Sequence, residues 1–412
     1  MKNQPARAGL LLALFLFGAA GTTGTARPEE FSGATPLEWS VRLANSEIAR
    51  RGSSLAWQPG GRAKWDYAAG LFTLALLQLN AQAPDARYEK FARDAIGSFI
   101  APDGKIQTYQ PGEFQLDALN SGRTVLALWR STGDPRFKNA AQMLRRQLAT
   151  QPRTADGGFW HKQRYPQQMW LDGIYMAAPF YAECARAFNE PDALADVARQ
   201  IQLADEHTYD AQTGLFFHGW DASRSQAWAN PATGCSSNVW GRAVGWYAMA
   251  LVDVLDDFPA RHPARPQIIA TLQKLAAGVV KYQDPKTGLW WQVMDQGGRK
   301  GNYLEATASV MFVYALAKGV NHGYLPRDDA DAAAKGYAGI IKNLLPADGD
   351  KSWSLTQCCS VAGLGFKNAA GRDRDGSFDY YVSEPIVKND LKGVGPFILA
   401  GIEMQPLAGG KK

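Results

Sequence analysis

The sequence predicts an all-α fold, an (α/α)6 barrel of six helical hairpins with short β-segments gathered at one mouth. Three observations carry this. Five helix-like runs end in a Gly turn that leads into a short aromatic segment: Asp103-Gly104, Asp156-Gly157-Gly158-Phe159-Trp160, Thr213-Gly214-Leu215-Phe216-Phe217, Thr287-Gly288-Leu289-Trp290-Trp291 and Asp348-Gly349. Their Gly residues lie 53, 57, 74 and 61 positions apart, the spacing of a helical hairpin plus its connection. Apolar periodicity then gives about twelve helices, alternately more polar and more apolar. Gly supplies the positive φ that ends a helix, so each unit reads as outer helix, tight turn, short β-segment, inner helix. Gly60-Gly61 before Trp65 is a degenerate sixth copy.

In chain order, outer helices are expected at Leu37–Arg51, Ala86–Phe99, Asp134–Leu148, Asp192–Thr208, Pro266–Tyr282 and Arg327–Leu345. Inner helices are expected at Trp65–Leu79, Gln115–Trp129, Met169–Phe188, Val239–Leu255, Tyr303–Lys318 and Leu391–Met404. Outer runs are polar on one side, as in Asp134-Pro135-Arg136-Phe137-Lys138; inner runs such as Ala243-Val244-Gly245-Trp246-Tyr247-Ala248-Met249-Ala250 are apolar nearly all round and therefore buried on both sides. The competing arrangement is an open solenoid. It usually needs polar capping repeats, and the last helix here is as apolar as the others.

A hydrophobic content of 46% with 11% aromatics fills one large core, and no linker or low-complexity run divides residues 27–412, so a single domain is expected there. Only Phe217–Asn238 and Trp353–Asp390 form long loops, and loops of that length in a compact domain usually carry a site. Residues 1–26 read separately. Lys2 and Arg7 precede an apolar stretch from Leu10 to Phe17 and then small residues up to Ala26, the pattern of a secretory signal peptide, with cleavage near Gly24-Thr25-Ala26 or at Ala20. Export to a bacterial periplasm follows as an expectation. Removal of Lys2 and Arg7 takes the 44 basic residues to 42 against 39 acidic, a net charge of +3 with no basic stripe for nucleic acid and no later membrane span.

Cys184, Cys235, Cys358 and Cys359 show no metal-ligand spacing, and the five His residues form no His-x-x-x-His. Free or structural thiols are expected, with a bridge from Cys358 or Cys359 to Cys235 or Cys184 open in an oxidising compartment. No phosphate loop and no Gly-x-Ser-x-Gly elbow occurs.

Aromatics around a concavity suit a ligand with flat apolar faces and polar edges, which describes a sugar. Chemistry is therefore sought where inner helices begin. Asp172 stands in Met169-Trp170-Leu171-Asp172-Gly173-Ile174-Tyr175-Met176 and Asp117 in Phe114-Gln115-Leu116-Asp117-Ala118-Leu119-Asn120-Ser121-Gly122-Arg123. The bland reading of each is a helix cap. Around Asp172 the apolar jacket speaks against it, since a cap does not need one. That jacket favours the neutral acid while the helix N-terminus favours the carboxylate. Arg242, between Trp240 and Trp246, reads as a carboxylate receptor or an ion-pair partner for one Asp, and Trp246 equally as core. His161 after Phe159-Trp160 and His218 after Phe216-Phe217 occupy equivalent mouth positions in successive repeats, which points to ligand contact.

Together, Trp170-Leu171-Asp172-Gly173-Ile174-Tyr175-Met176, Leu116-Asp117 with Asn120 and Gly122-Arg123, Trp240-Gly241-Arg242 with Gly245-Trp246, and Tyr381 with Ser383-Glu384-Pro385 and Lys392-Gly393-Val394-Gly395-Pro396-Phe397 resemble the unsaturated rhamnogalacturonyl hydrolases, glycoside hydrolase family 105, with some motifs shared by the related unsaturated glucuronyl hydrolases of family 88. The resemblance covers nearly the whole chain after residue 26. It implies the same barrel, no metal or other cofactor, and an unsaturated oligosaccharide as partner to a monomer. By this resemblance the general acid/base falls on Asp172 and a second active-site Asp on Asp117. Substrate contacts fall on His161, Trp170, Met176, His218, Trp240, Arg242 and Trp246. The implied chemistry is hydration of a 4,5-unsaturated uronate, in which Asp117 would favour protonation of Asp172 by like-charge proximity and Arg242 would receive the uronate carboxylate. Three alternatives stand beside it: an unsaturated glucuronyl hydrolase acting on glycosaminoglycan or ulvan fragments, a conventional inverting glycosidase, and a non-catalytic sugar-binding protein in which both Asp residues are caps.

Overall fold

The computed structural model describes residues 30–52, 63–349, 351–368 and 370–409; the signal-peptide segment 1–26 and the Gly60-Gly61 copy lie outside them. The helices are α1 (Pro36–Arg51), α2 (Tyr67–Gln82), α3 (Ala86–Gly97), α4 (Asp117–Asn120), α5 (Gly122–Thr132), α6 (Pro135–Thr150), α7 (Leu171–Ala187), α8 (Ala193–Thr208), α9 (Gly241–Val254), α10 (Arg265–Lys281), α11 (Ala306–Asn321), α12 (Asp329–Leu344), α13 (Phe378–Tyr381) and α14 (Leu391–Ala408).

Inner helices α2, α5, α7, α9, α11 and α14 pack each on the next, and α14 returns to α2, so the ring closes and the solenoid alternative falls. Pairing differs from the expected order. Each outer helix packs mainly on the inner helix before it (α3 on α2, α6 on α5, α8 on α7, α10 on α9, α12 on α11), and α1 packs on α14. Short connections therefore join inner to outer helices at the far end, while the Gly turns lead into the next inner helix. Sequence periodicity is blind to this choice, because both pairings have the same repeat length.

All five turn glycines hold positive φ: Gly104 (88°), Gly157 (99°), Gly214 (80°), Gly288 (76°) and Gly349 (90°). Such values strain any residue with a Cβ, which is why Gly recurs there. Glycines inside the inner helices have another role. A Cβ on Gly122 would meet the Phe180 ring at 2.4 Å and one on Gly245 would meet Met311 Sδ at 2.9 Å, so Gly lets neighbouring inner helices approach. The second inner helix, expected as one run from Gln115 to Trp129, is broken at Ser121 between α4 and α5. There Gly70 of α2 crowds the Ser121 backbone, and the Ser121 hydroxyl donates to the Asp66 carbonyl at 2.7 Å.

Short strands fill the connections at the mouth: β1 (Gln168–Trp170), β2 (Tyr209–Asp210), β3 (Leu215–Phe216), β4 (Gly219–Asp221), β5 (Cys358–Cys359), β6 (Gly365–Lys367), β7 (Asp373–Arg374) and β8 (Ile386–Val387). They pair antiparallel as β1 with β4, β2 with β3, β5 with β8 and β6 with β7. Among the described residues no helix is long and apolar enough to cross a membrane.

Candidate active site

One hydrogen-bonded corner recurs around the mouth. The amide of Leu116 donates to the His161 carbonyl at 3.1 Å, Leu171 to His218 at 3.0 Å, Gly241 to Gln292 at 2.9 Å and Ala306 to Gln357 at 3.0 Å. Each donor stands one residue before a mouth side chain, so the same backbone frame presents Asp117, Asp172, Arg242 and Thr307 in turn. Two of these corners are Asp–His pairs: His161 Nε2 lies 3.3 Å from Asp117 Oδ1, and His218 Nε2 lies 3.2 Å from Asp172 Oδ2. The equivalence of the two histidines in the repeat is thus a geometric one.

Asp172 is the second residue of α7, and no side chain caps that helix. Its buried Oδ2 accepts no hydrogen bond. The cap reading therefore has no support here. Gly173 explains why Asp is followed by Gly: a Cβ there would meet His161 Nδ1 at 2.9 Å, so the imidazole rests against the helix backbone. On the other side His218 Nδ1 lies 2.8 Å from the Tyr381 hydroxyl. With the Tyr381 O–H donating to Nδ1, the proton of the neutral ring sits on Nε2, 3.2 Å from Asp172 Oδ2.

Asp117 is differently placed. It opens α4 without capping it, and Lys162 Nζ contacts its Oδ2 at 2.5 Å. Burial alone would raise its pKa, but Lys162, His161 and Arg164 outweigh burial and hold it below the usual range. Its charge is compensated by Lys162. His161 is itself buried, and burial drives its pKa down to about 4 although Asp117 opposes. It is a neutral ring at ordinary pH, stacked on Trp170 at 4.5 Å and 17°.

Arg242 is not an ion-pair partner for either Asp. Its guanidinium donates to the Cys359 carbonyl and lies over the Trp240 ring at 4.7 Å, while its buried Nε has no partner. Trp240 also stacks on Tyr381. Trp246 and Met176 are buried, as Trp240 and His218 are; Trp246 stacks on Tyr175 at 4.9 Å. The sequence reading missed Lys162, Asp66 and Tyr67. Asp66 caps α2 through the Ala68 amide at 2.8 Å, and Tyr67 meets Trp246 edge-on. The position of Trp65-Asp66-Tyr67 at an inner-helix start was the available signal; Lys162 had none, being a single cation in a loop. Lys392 opens the last inner helix beside Asp390 at 2.7 Å, and burial pulls its ammonium down to about 8.

Cys184, Cys235, Cys358 and Cys359 are free and buried, so the bridge considered between them is not formed. Cys359 instead accepts from Gln292 Nε2 at 3.2 Å. Both long loops reach the site, one through His218 and the other through Cys359 and Tyr381.

Comparison with known proteins follows the same lines. The profile of Glycosyl Hydrolase Family 88 matches residues 39–408. A solved glycoside hydrolase from family 105 of C. acetobutylicum ATCC 824 is 40% identical and superposes with a TM-score of 0.85, covering 89% of this chain and 99% of that one. Protein Atu3128 of Agrobacterium fabrum is 42% identical over 237 residues, 57% of this chain and 100% of its own length. The unsaturated rhamnogalacturonyl hydrolase YesR of Bacillus subtilis is 30% identical over 208 residues, 49% of this chain and 57% of that protein. With a barrel of this topology and a family match over nearly its whole described length, the chain belongs to glycosyl hydrolase family 88, alongside its family 105 relatives, and is a glycoside hydrolase.

Proposed function

We propose that this enzyme removes a 4,5-unsaturated uronic acid from the non-reducing end of pectin-derived rhamnogalacturonan oligosaccharides by hydrating the vinyl ether. The observation that carries the proposal is Asp172: a carboxylate at the mouth whose buried Oδ2 accepts no hydrogen bond and lies 3.2 Å from His218 Nε2. Asp172 delivers a proton to C4, and positive charge develops at C5 and the ring oxygen. Water adds at C5 and returns a proton to Asp172; the hemiketal then opens to a keto uronate and expels the partner sugar. A conventional inverting mechanism needs a second carboxylate free to activate water, whereas Asp117 is held by Lys162 and His161. Asp117 and Lys162 instead hold substrate hydroxyls, and Arg242, with its unpartnered Nε, receives the uronate carboxylate.

The rhamnose-linked substrate is supported by the likeness to YesR, and the alternative is a glucuronyl fragment of glycosaminoglycan or ulvan. The signal pattern supports export to the periplasm, where the enzyme acts as a monomer on lyase products; an N-terminus retaining residues 1–26 on cytoplasmic protein would contradict export. The test of function is whether purified protein abolishes the ultraviolet absorbance of unsaturated pectin disaccharides and leaves saturated ones intact. Persistence of the absorbance, or cleavage of both, sinks the proposal.

A further inference from the structure

Phe366 is 57% exposed, a large apolar ring left in water. It is the extra residue of a bulge: Gly365 pairs with Arg374 and Lys367 with Asp373, so Phe366 faces no partner across the ladder, and Gly365 holds φ at 86°. Bulges re-aim side chains. Here the ring is aimed at Tyr165, 5.5 Å away between centroids. Tyr165 packs on Trp170 at 4.6 Å, Trp170 stacks on His161 at 4.5 Å, and His161 contacts Asp117. A continuous row of rings thus leads from the site to solvent.

Arg164 lies over the same row. Its guanidinium is 5.0 Å from the Tyr165 centroid and 5.3 Å from that of Phe366, and it donates to the Tyr165 hydroxyl at 3.0 Å. Arg164 is exposed, and among the described residues no carboxylate lies within ion-pair distance of it. A guanidinium steadied on two aromatic faces, acting on Asp117 only from beyond ion-pair distance, is prepared for a bidentate carboxylate.

We propose that Phe366 and Arg164 form a distal subsite for an acidic sugar that lies beyond the leaving sugar, with the sugar's apolar face on Phe366 and its carboxylate on Arg164. The inference rests on the unsaturated-uronate reading and extends it: the preferred substrate is an acidic oligosaccharide carrying a second uronate, not a disaccharide. The test compares kcat/KM for an unsaturated disaccharide with that for an unsaturated tetrasaccharide whose third sugar is a uronate. In the wild type the tetrasaccharide should be favoured by about three- to tenfold, through a lower KM. Phe366→Ala and Arg164→Met should each bring that ratio towards one. Equal kcat/KM for the two lengths in the wild type, or variants that lower both lengths alike, overturns the subsite. Absorbance that persists with both substrates overturns the uronate-hydrolase reading and the subsite with it.

Discussion

Two buried polar clusters occupy opposite ends of the inner helices, and they differ in how completely they are satisfied. At the far end Arg123 binds Glu183 and Asp253, both at 2.7 Å; Asp253 also takes Lys318 at 2.8 Å and the Tyr314 hydroxyl at 2.6 Å, and Lys318 reaches Asp256 at 2.6 Å. Each of these charges has a partner, and the neighbouring Asp257, whose Oδ1 makes no hydrogen bond, lies 2.6 Å from Arg186. At the mouth, Asp172 Oδ2, His161 Nδ1, His218 Nε2 and Arg242 Nε are buried without a hydrogen bond. Asp172 Oδ2 and His218 Nε2 face each other at 3.2 Å; an unsatisfied buried polar atom costs on the order of 1–3 kcal/mol, so this end is the less stabilising of the two. The far end ties α5, α7, α9 and α11 together.

Changes at the two ends should accordingly separate activity from stability. Asp172→Asn keeps size but delivers no proton, so activity should fall by about two to four orders of magnitude with little change in Tm. A variant that instead lost Tm in proportion to activity would make Asp172 structural. Arg123→Met leaves two buried carboxylates without their guanidinium, and denaturant titration should show a loss of about 3–5 kcal/mol. Its kcat/KM per folded molecule should stay near that of the wild type; a stable protein with collapsed activity would reverse the comparison.

Arg242→Lys keeps charge but loses the planar fork, so kcat/KM should fall by an amount equivalent to roughly 1–3 kcal/mol. An unchanged value removes Arg242 from substrate binding. Asp253 gives a pH signature to the far end. Burial would raise its pKa, but Lys318 and Arg123 outweigh burial and hold it at about 2, below the ordinary 3.8. A carboxyl depressed on folding contributes stability above its unfolded pKa and loses it as pH falls through the folded one. About 2 kcal/mol should therefore disappear between about pH 4 and pH 2. In Asp253→Asn that segment of the stability curve should be flatter; an identical curve would contradict the assignment. The smallest effect is expected of Asp117→Asn, on the order of tenfold in kcat/KM. By removing an anion and leaving Lys162 unpaired, it should move the alkaline limb of the pH profile, set by ionisation of Asp172, to lower pH. A shift to higher pH would mean that Lys162 does not govern the local field.

The repeat was legible in the sequence because a turn that needs positive φ writes Gly, and five such turns sit at hairpin spacing. Closure of the ring by α14 on α2 was only implied, since periodicity records what a helix buries and not which helix covers it. At the site, Asp172 and His218 announced themselves through position in the repeat. The commitment of Arg242 to the Cys359 carbonyl did not, because a long flexible side chain finds its partner through the fold and not along the sequence. Lys162 is a similar case. The inward placement of Trp246 follows from the apolar run around it, a signal that was present and compatible with either role.

The most direct test of the account is turnover in isotopic water. Hydration by Asp172 predicts that heavy water places deuterium at C4, and that oxygen-18 water places the label at C5 of the first-formed product and none on the released sugar. Oxygen-18 at the anomeric carbon would contradict it and would establish direct hydrolysis of the glycosidic bond instead.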